Sequence, residues 1–187
     1  MKELMHHCQQ IRTGFTPKIQ DPLKPVRWWS EQDLFEGKIV DSFIIILRTQ
    51  GCSWALKSGC TMCGYFNDSL WKPISEKDLL TQVETVLKNY NNEPVVKLFT
   101  SGSFFDTQEI PETVRNHIFA FLSKKANKIS VESRPEYVTK ETIAQMNTMC
   151  APSVCEIGIG LETANDVVRD KVRGNAEDAT DHDTTQP

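Results

Sequence analysis

The sequence predicts an α/β protein built on a parallel sheet. Short β-rich apolar runs recur along the chain, and each is followed by a stretch with helical apolar spacing. The residues capable of chemistry fall just after the runs, where the loops of such a sheet share one edge.

Residues 1–41 read as a packed N-terminal extension. "DPLKPVRWWSEQDLFEGK" holds two prolines, adjacent Trp28 and Trp29, and polar spacers, with a short helix expected near Ser30–Phe35. Regular alternation starts at Ser42, and residues 42–172 are expected to form the core. "SFIIILRT" is a continuous apolar run, the pattern of a strand buried on both faces. "SEKDLLTQVETVLKNY" spaces Leu79, Leu80, Val83, Val86, Leu87 and Tyr90 as a helix, with Ser75 as N-cap. "PVVKLFTSGS" is a second strand running into a glycine turn. "PETVRNHIFAFLSKK" is a helix opened by Pro111 that buries Val114, Ile118, Phe121 and Leu122. "KISVESRP" is a third strand stopped by Pro135, and "TKETIAQMNTM" is a helix opened by Thr139. "SVCEIGIGLET" is a fourth strand, and "NDVVRDKV" begins a fourth helix. The tail 173–187, "RGNAEDATDHDTTQP", lacks apolar periodicity, sets one arginine against four acidic residues, and reads as disordered.

Composition bounds the function classes. At 39% hydrophobic and 25% charged residues, a chain of 187 residues is expected to be one soluble globular domain. Its longest apolar run, "FIIIL", is far too short to cross a bilayer, and its first residues lack the apolar centre of a signal peptide. A cytoplasmic, reducing setting is the expectation, and there clustered cysteines point to metal or redox chemistry. The formal charge of −4 includes no Lys- or Arg-rich run, so charge does not announce a nucleic-acid partner.

Four loops follow the expected strands: Gly51–Gly64, Ser101–Asp106, Ser133–Glu136 and Glu162–Asn165. The first, within "RTQGCSWALKSGCTMCGYFND", carries Cys52, Cys60 and Cys63, three of the six cysteines, spaced C-x7-C-x2-C. A loop with Gly, Ser and Lys is no core segment, so burial as small hydrophobes is the weaker explanation. Zinc fits the C-x2-C pair but needs a fourth ligand from His6, His7, His117, Cys150 or Cys155. An iron–sulfur cluster fits thiolates, and three of them would leave one iron open for a small chelating ligand. In "FTSGSFFD", Gly102 lets backbone approach a ligand, with Ser101 and Ser103 as donors; a plain strand-to-helix turn explains it equally well. Arg134, at a strand end, is either a salt-bridge residue or a carboxylate clamp. "EIGIGLE" is a strand packed closely on something flat. Cys8, Cys150 and Cys155 read as spare or core cysteines.

Taken together, "ILRTQGCSWALKSGCTMCGYFND", "LFTSGSFFD", "SVESRPEYVT" and "IGIGLETAND" resemble, in order, the motifs of the radical S-adenosylmethionine (SAM) superfamily. Within it they look most like the archaeosine-biosynthesis group, akin to the elongator- and MiaB-like tRNA-modifying proteins. The resemblance covers about residues 25–172 and departs from the commonest C-x3-C-x2-C spacing. It implies a parallel-stranded partial (β/α) barrel and a [4Fe–4S] cluster on Cys52, Cys60 and Cys63, with SAM on the open iron. It further implies SAM contacts from Thr100, Ser101, Gly102 and Ser103, from Ser133 and Arg134, and from Ile157 and Gly158 on the strand up to Leu161. The implied reaction cleaves a lysine adduct on a deazaguanine base in tRNA to form archaeosine, with a transglycosylase-like partner subunit supplying tRNA contacts. The barrel of that superfamily has six strands and four are counted here, so the chain reads as truncated after about four βα units. An isolated chain of this kind is expected to self-associate or need a partner. A reading from another class also stands: a non-catalytic iron–sulfur or zinc-binding module, or a remnant of a longer enzyme.

Overall fold

The computed structural model describes residues 2–14, 18–57 and 59–173. Of the tail 173–187, expected to be disordered, Arg173 is the last residue of a helix, and residues 174–187 lie outside the described residues. After helix α1 (Lys2–Gly14), strand β1 (Arg27–Phe35) and strand β2 (Lys38–Ile46) form an antiparallel hairpin. Phe35 pairs with Lys38 across a two-residue turn, Glu36 at φ 50° and Gly37 at φ 75°. That left-handed pair matches the twist of the flanking strands. The helix expected near Ser30–Phe35 is therefore a strand. Its charged residues Glu31 and Asp33 fall on one face by alternation, which conceals the pairing from a search for apolar runs.

From β2 onward the order is β-α. Helix α2 (Ser53–Lys57) lies in the cysteine loop, then come α3 (Glu76–Leu87), β3 (Val95–Phe99), α4 (Glu112–Leu122) and β4 (Lys128–Glu132). Helix α5 (Lys140–Cys150), β5 (Val154–Gly158) and α6 (Asp166–Arg173) follow. The helix starts agree with their residues. Ser75 accepts from the Asp78 N–H, and Thr139 and Thr142 form a reciprocal capping box.

The strands make one mixed sheet in the order β1-β2-β3-β4-β5, with β2 to β5 parallel. An α/β fold with a mostly parallel five-stranded sheet is what the structure shows; a barrel of the radical SAM type is not shown. One sheet face is covered by helices: Phe43, Ile45, Val96, Leu98, Ile129 and Val131 pack with side chains of α3, α4 and α5. Ile44, pointing the other way, is also fully buried, so β2 is buried on both faces as its apolar run predicted. Beyond β5 no further strand pairs among the described residues, and Val154, Ile159 and Leu161 are exposed there. Cys150 and Cys155, read as spare or core residues, form a disulfide that ties the end of α5 to β5. The side chain of Cys8 lies outside the described residues. No described helix is long and apolar enough to cross a membrane.

The face without helices is braced by charge. Lys97 on β3 reaches Asp33 at 3.0 Å and Glu31 at 3.6 Å, both on β1. The hydrogen bond from Lys97 is the main cause holding the Asp33 carboxyl below its ordinary value of 3.8. Burial opposes the charge on Lys97, but Asp33 and Glu31 outweigh it and raise its pKa. A carboxyl lowered in the folded state is protonated first in the unfolded chain as pH falls. Its stabilisation is therefore present above pH 3.8 and is lost as pH drops through the lower folded value. We expect the stability difference between wild type and Lys97→Met, from urea unfolding, to be larger at pH 6 than at pH 2.5. A pH-independent difference would remove the pair from the acid response.

Candidate functional site

The C-terminal ends of β2, β3 and β4 bring three loops together. Leu47 continues the β2 ladder by donating to the Phe99 carbonyl at 3.0 Å, which keeps the first two loops adjacent as they leave the sheet. Cys52 stands at the head of the first loop, and the turn Thr100–Ser103 of the second loop leans on it. A Cβ added to Gly102 would lie 2.7 Å from Cys52 Cα, 3.0 Å from Cys52 Cβ and 2.3 Å from Glu109 Oε2. Only a glycine permits that approach. Gly51, at φ 102°, is constrained in a similar way, since its Cβ would meet Ser69 Oγ at 2.7 Å.

The third loop adds Arg134. Its Nη1 donates to Ser53 Oγ at 3.1 Å and to Cys52 Sγ at 3.5 Å, and its backbone N–H donates to Ser103 Oγ at 3.0 Å. Nη2 pairs with Glu136. The guanidinium lies over the rings of Trp54 and Tyr137, at 5.9 and 5.6 Å from their centroids. Burial works against its charge, yet Cys52, Glu136 and Tyr137 outweigh burial and raise its pKa. Tyr137 OH and Ser53 Oγ, 3.2 Å apart, close the cluster. Burial is the largest cause raising the Tyr137 hydroxyl.

The loops are stiffened from behind. Phe104 N–H donates to the Glu132 carbonyl at 2.9 Å, tying the β3 loop to β4. Buried Arg115 donates from Nη1 to the carbonyls of Ile110 and Phe104 at 3.2 and 3.4 Å. Those bonds hold residues 104–110 in place over α4.

The residues expected to form the site are thus partly assembled. Cys52, Gly102, Ser103 and Arg134 are in contact. Thr100 Oγ1 accepts from the Gly102 N–H at 3.3 Å, and Ser101 occupies the same turn, half-buried. Ser133 is 4% exposed, and its Oγ is a buried polar atom with no hydrogen-bond partner among the described residues. Its backbone N–H donates to the Gly158 carbonyl at 3.0 Å. Gly158 itself is exposed, and its added Cβ would meet Glu132 Cγ at 3.3 Å. Ile157 turns to the other side and packs against the helix-covered core. Cys60 and Cys63 share a tight turn, the Cys63 N–H donating to the Cys60 carbonyl at 3.3 Å. Among the described residues no disulfide joins Cys52, Cys60 or Cys63 to one another. Among the described residues no three His, Cys, Asp or Glu side chains converge closely enough to hold a metal ion, the three thiols included.

Reading the sequence missed Glu109, Thr49, Ser53 and Tyr137. For Thr49 a signal exists: Thr-x-Gly occurs after both β2 and β3, as Thr49-Gln50-Gly51 and Thr100-Ser101-Gly102. Side-chain turns of that kind are what a Thr two residues before a Gly produces at a strand end.

The chain is similar to proteins from Methanosarcina acetivorans, Thermococcus kodakarensis and Methanocaldococcus jannaschii. It is 34% identical to "Archaeosine synthase subunit beta" of Methanosarcina acetivorans over 164 residues, 86% of this chain and 47% of that one. It is 32% identical to the protein of the same name from Thermococcus kodakarensis over 149 residues, 76% of this chain and 46% of that one. An uncharacterized Methanocaldococcus jannaschii protein is 36% identical over 163 residues, 82% of this chain and 44% of that one. The chain thus spans a little under half the length of these relatives. No family model matches, and no solved structure matches. The placement in the radical SAM superfamily is corrected accordingly: what the comparisons return is a likeness to proteins named archaeosine synthase subunit beta, with no match to a superfamily model.

The close approach at Gly102 gives a direct test. Gly102→Ala forces a Cβ against the Cys52 backbone and the Glu109 carboxyl, neither of which can swing away. We expect it to destabilise the fold by about 1–3 kcal/mol in urea unfolding. Gly64→Ala, where an added Cβ meets nothing within 4 Å, should change stability by no more than about 0.5 kcal/mol. Equal costs for the two would mean that the Gly102 turn is free to move.

Proposed function

We propose that this chain is the cofactor-holding part of an archaeosine synthase β-type subunit and takes part in tRNA modification in the cytoplasm. Cys52, Cys60 and Cys63 would hold a [4Fe–4S] cluster, and SAM would be the ligand of the adjoining turn. The observation that carries this reading is the docking of the Gly102 turn on Cys52 with Arg134 Nη1 on the same sulfur. The likeness to two proteins bearing that name supports the pathway. The donor type fits, since thiolates are the usual ligands of such clusters, and holding one would require Cys60 and Cys63 to be drawn to Cys52, with which they do not converge here. When bound, a three-thiolate cluster supplies an electron donor and one iron open to a small chelating ligand.

The chain's own residues suit the binding of a polar ligand beside that metal. Gly102 exposes backbone where a side chain would block it, Arg134 offers guanidinium donors to a carboxylate, and the unpartnered Ser133 hydroxyl is a further donor or acceptor. Tyr137 and Trp54 flank the guanidinium and limit its movement. A formal charge of −4, without a basic run, supports a partner subunit as the source of most tRNA contacts. The finer reading is cleavage of a lysine–deazaguanine adduct in tRNA, with that partner supplying the adduct.

Anaerobic reconstitution tests the cluster. We expect about four irons and four sulfides per chain, a brown colour that bleaches on reduction, and loss of the intact cluster in Cys52→Ala, Cys60→Ala and Cys63→Ala. Cys150→Ala should load fully. A colourless protein holding one tight zinc, or full loading of Cys60→Ala, would overturn the assignment in favour of a non-catalytic metal module or another ligand set.

Calorimetry on the reconstituted protein tests the ligand. Arg134→Ala should weaken SAM binding by about 1.5–3 kcal/mol, the worth of a charge-assisted contact, and leave the iron content unchanged. Unchanged affinity would leave Arg134 with only its contacts to Ser53, Cys52 and Glu136.

A further inference from the structure

Two adjacent parallel strands end in the same three-residue device. In Thr49-Gln50-Gly51 the threonine Oγ1 accepts from the Gly51 N–H at 3.2 Å, and in Thr100-Ser101-Gly102 the threonine Oγ1 accepts from the Gly102 N–H at 3.3 Å. The Thr49 hydroxyl then has its proton to give, and Thr49 Oγ1 donates to Glu109 Oε1 at 2.6 Å. The Ser103 N–H donates to Oε2 at 2.6 Å. Glu109 is fully buried, and two donors from two loops converge on it, one on each oxygen. It is set there by a compact turn in which the Glu109 and Ile110 N–H groups donate to the Asp106 carbonyl at 3.0 and 2.8 Å. Burying a carboxyl is costly, and burial raises its pKa against the pull of those hydrogen bonds. Nothing in the proposed cofactor chemistry requires a carboxyl at this depth, so its retention asks for another use.

We propose that Glu109 is a positioning residue of this site: its carboxyl ties both Thr-x-Gly turns to one point and so fixes the Gly102 backbone against Cys52. It acts through Thr49 and Ser103. Gly51 precedes Cys52 directly, and Gly102 packs on it, so the tie sets the separation between the head of the cysteine loop and the turn offered to a ligand. The effect on ligand affinity rests on the cofactor reading above; the tie itself does not, because it can be observed in protein without metal.

Two variants probe it. Glu109→Gln keeps the size but offers one acceptor oxygen where two donors converge on two oxygens. Thr49→Val with Thr100→Val keeps the volume, leaves Glu109 in place and removes both hydroxyls, so it serves if the glutamine variant fails to fold. In metal-free, 15N-labelled protein we expect the Ser103 and Gly102 amides to exchange about tenfold faster or more in either variant. The α3 amides of Val83 and Val86 should be unaffected. After reconstitution, SAM should bind about tenfold more weakly with iron content unchanged, a change that a merely structural residue would not produce well below the melting temperature. Unaltered exchange at Ser103 and Gly102 overturns the tie. Faster exchange with wild-type SAM affinity overturns the positioning role. A wild-type chain that takes up no iron overturns the cofactor reading instead, and the exchange data then decide the tie alone.

Discussion

The arrangement at the strand ends depends on one contact with no slack in it, the Gly102 backbone against Cys52. Parallel strands bring their following loops to the same edge, but they do not make those loops touch. Touching requires that one loop lack a side chain at the point of contact and that both be held rigid behind it. Gly102 meets the first condition. The second is met in series: Leu47 binds Phe99, Phe104 binds the Glu132 carbonyl, and the Arg134 N–H binds Ser103 Oγ. Every link spans two different strand ends. A change at one of them is therefore felt across β2, β3 and β4, and the guanidinium of Arg134 reaches Cys52 only because the backbone that carries it is already docked.

The legible parts of this fold were those with a local physical signature. The run Phe43–Leu47 had to be a strand because its residues are apolar without alternation, and Phe43, Ile44 and Ile45 are indeed buried. Ser75 and Thr139 announced helix starts because their side chains cap by short-range hydrogen bonds. Strand β1 was not legible. Its residues Glu31 and Asp33 belong to a strand only because Lys97, more than sixty positions later, stands opposite them. Its turn, Glu36-Gly37, lacks the Asn-Gly or Asp-Gly pair that marks most hairpins of this kind. The Cys150–Cys155 link was hidden for a similar reason: two core-like cysteines on consecutive elements give no sign of facing each other until the loop between them is built.

The site was legible to the level of residue type and no further. Cys52, the Gly102 turn and Arg134 meet at one edge, because strand order brings the loops that carry them there. The order of those motifs was then read as membership of a superfamily, and the comparisons did not return it. Motif order in a repeating βα chain is an associational argument, since many unrelated functions share the scaffold. What sequence could not supply was the second layer. Glu109 lies in "FDTQEIPE", a segment that looks like a polar lead-in to α4, and its full burial follows from Thr49 and Ser103 arriving from two other elements. Buried polar groups of this kind are read from their partners, and the partners are distant in sequence.

The two faces of the sheet set different requirements on whatever meets them. The helix-covered face is apolar throughout and is closed by α3, α4 and α5. Across the other face one row runs Trp29, Ile44, Lys97, Ser130 and Glu156, paired strand by strand. On it Lys97 binds Asp33 and Glu31, Lys128 binds Glu156 at 3.5 Å, and Ser130 donates to Glu156 at 2.8 Å. An apolar layer laid over these groups would strip water from several charges at once, at a cost that their mutual attraction repays only with near-ideal geometry. Partly exposed as most of them are, they keep part of their hydration and brace β1 to β3 and β4 to β5. The sheet is thus stabilised on its helix-covered face by burial, and on the other by charge together with the buried Ile44 and Val95. Any surface that packs on this second face must bring polar groups of its own.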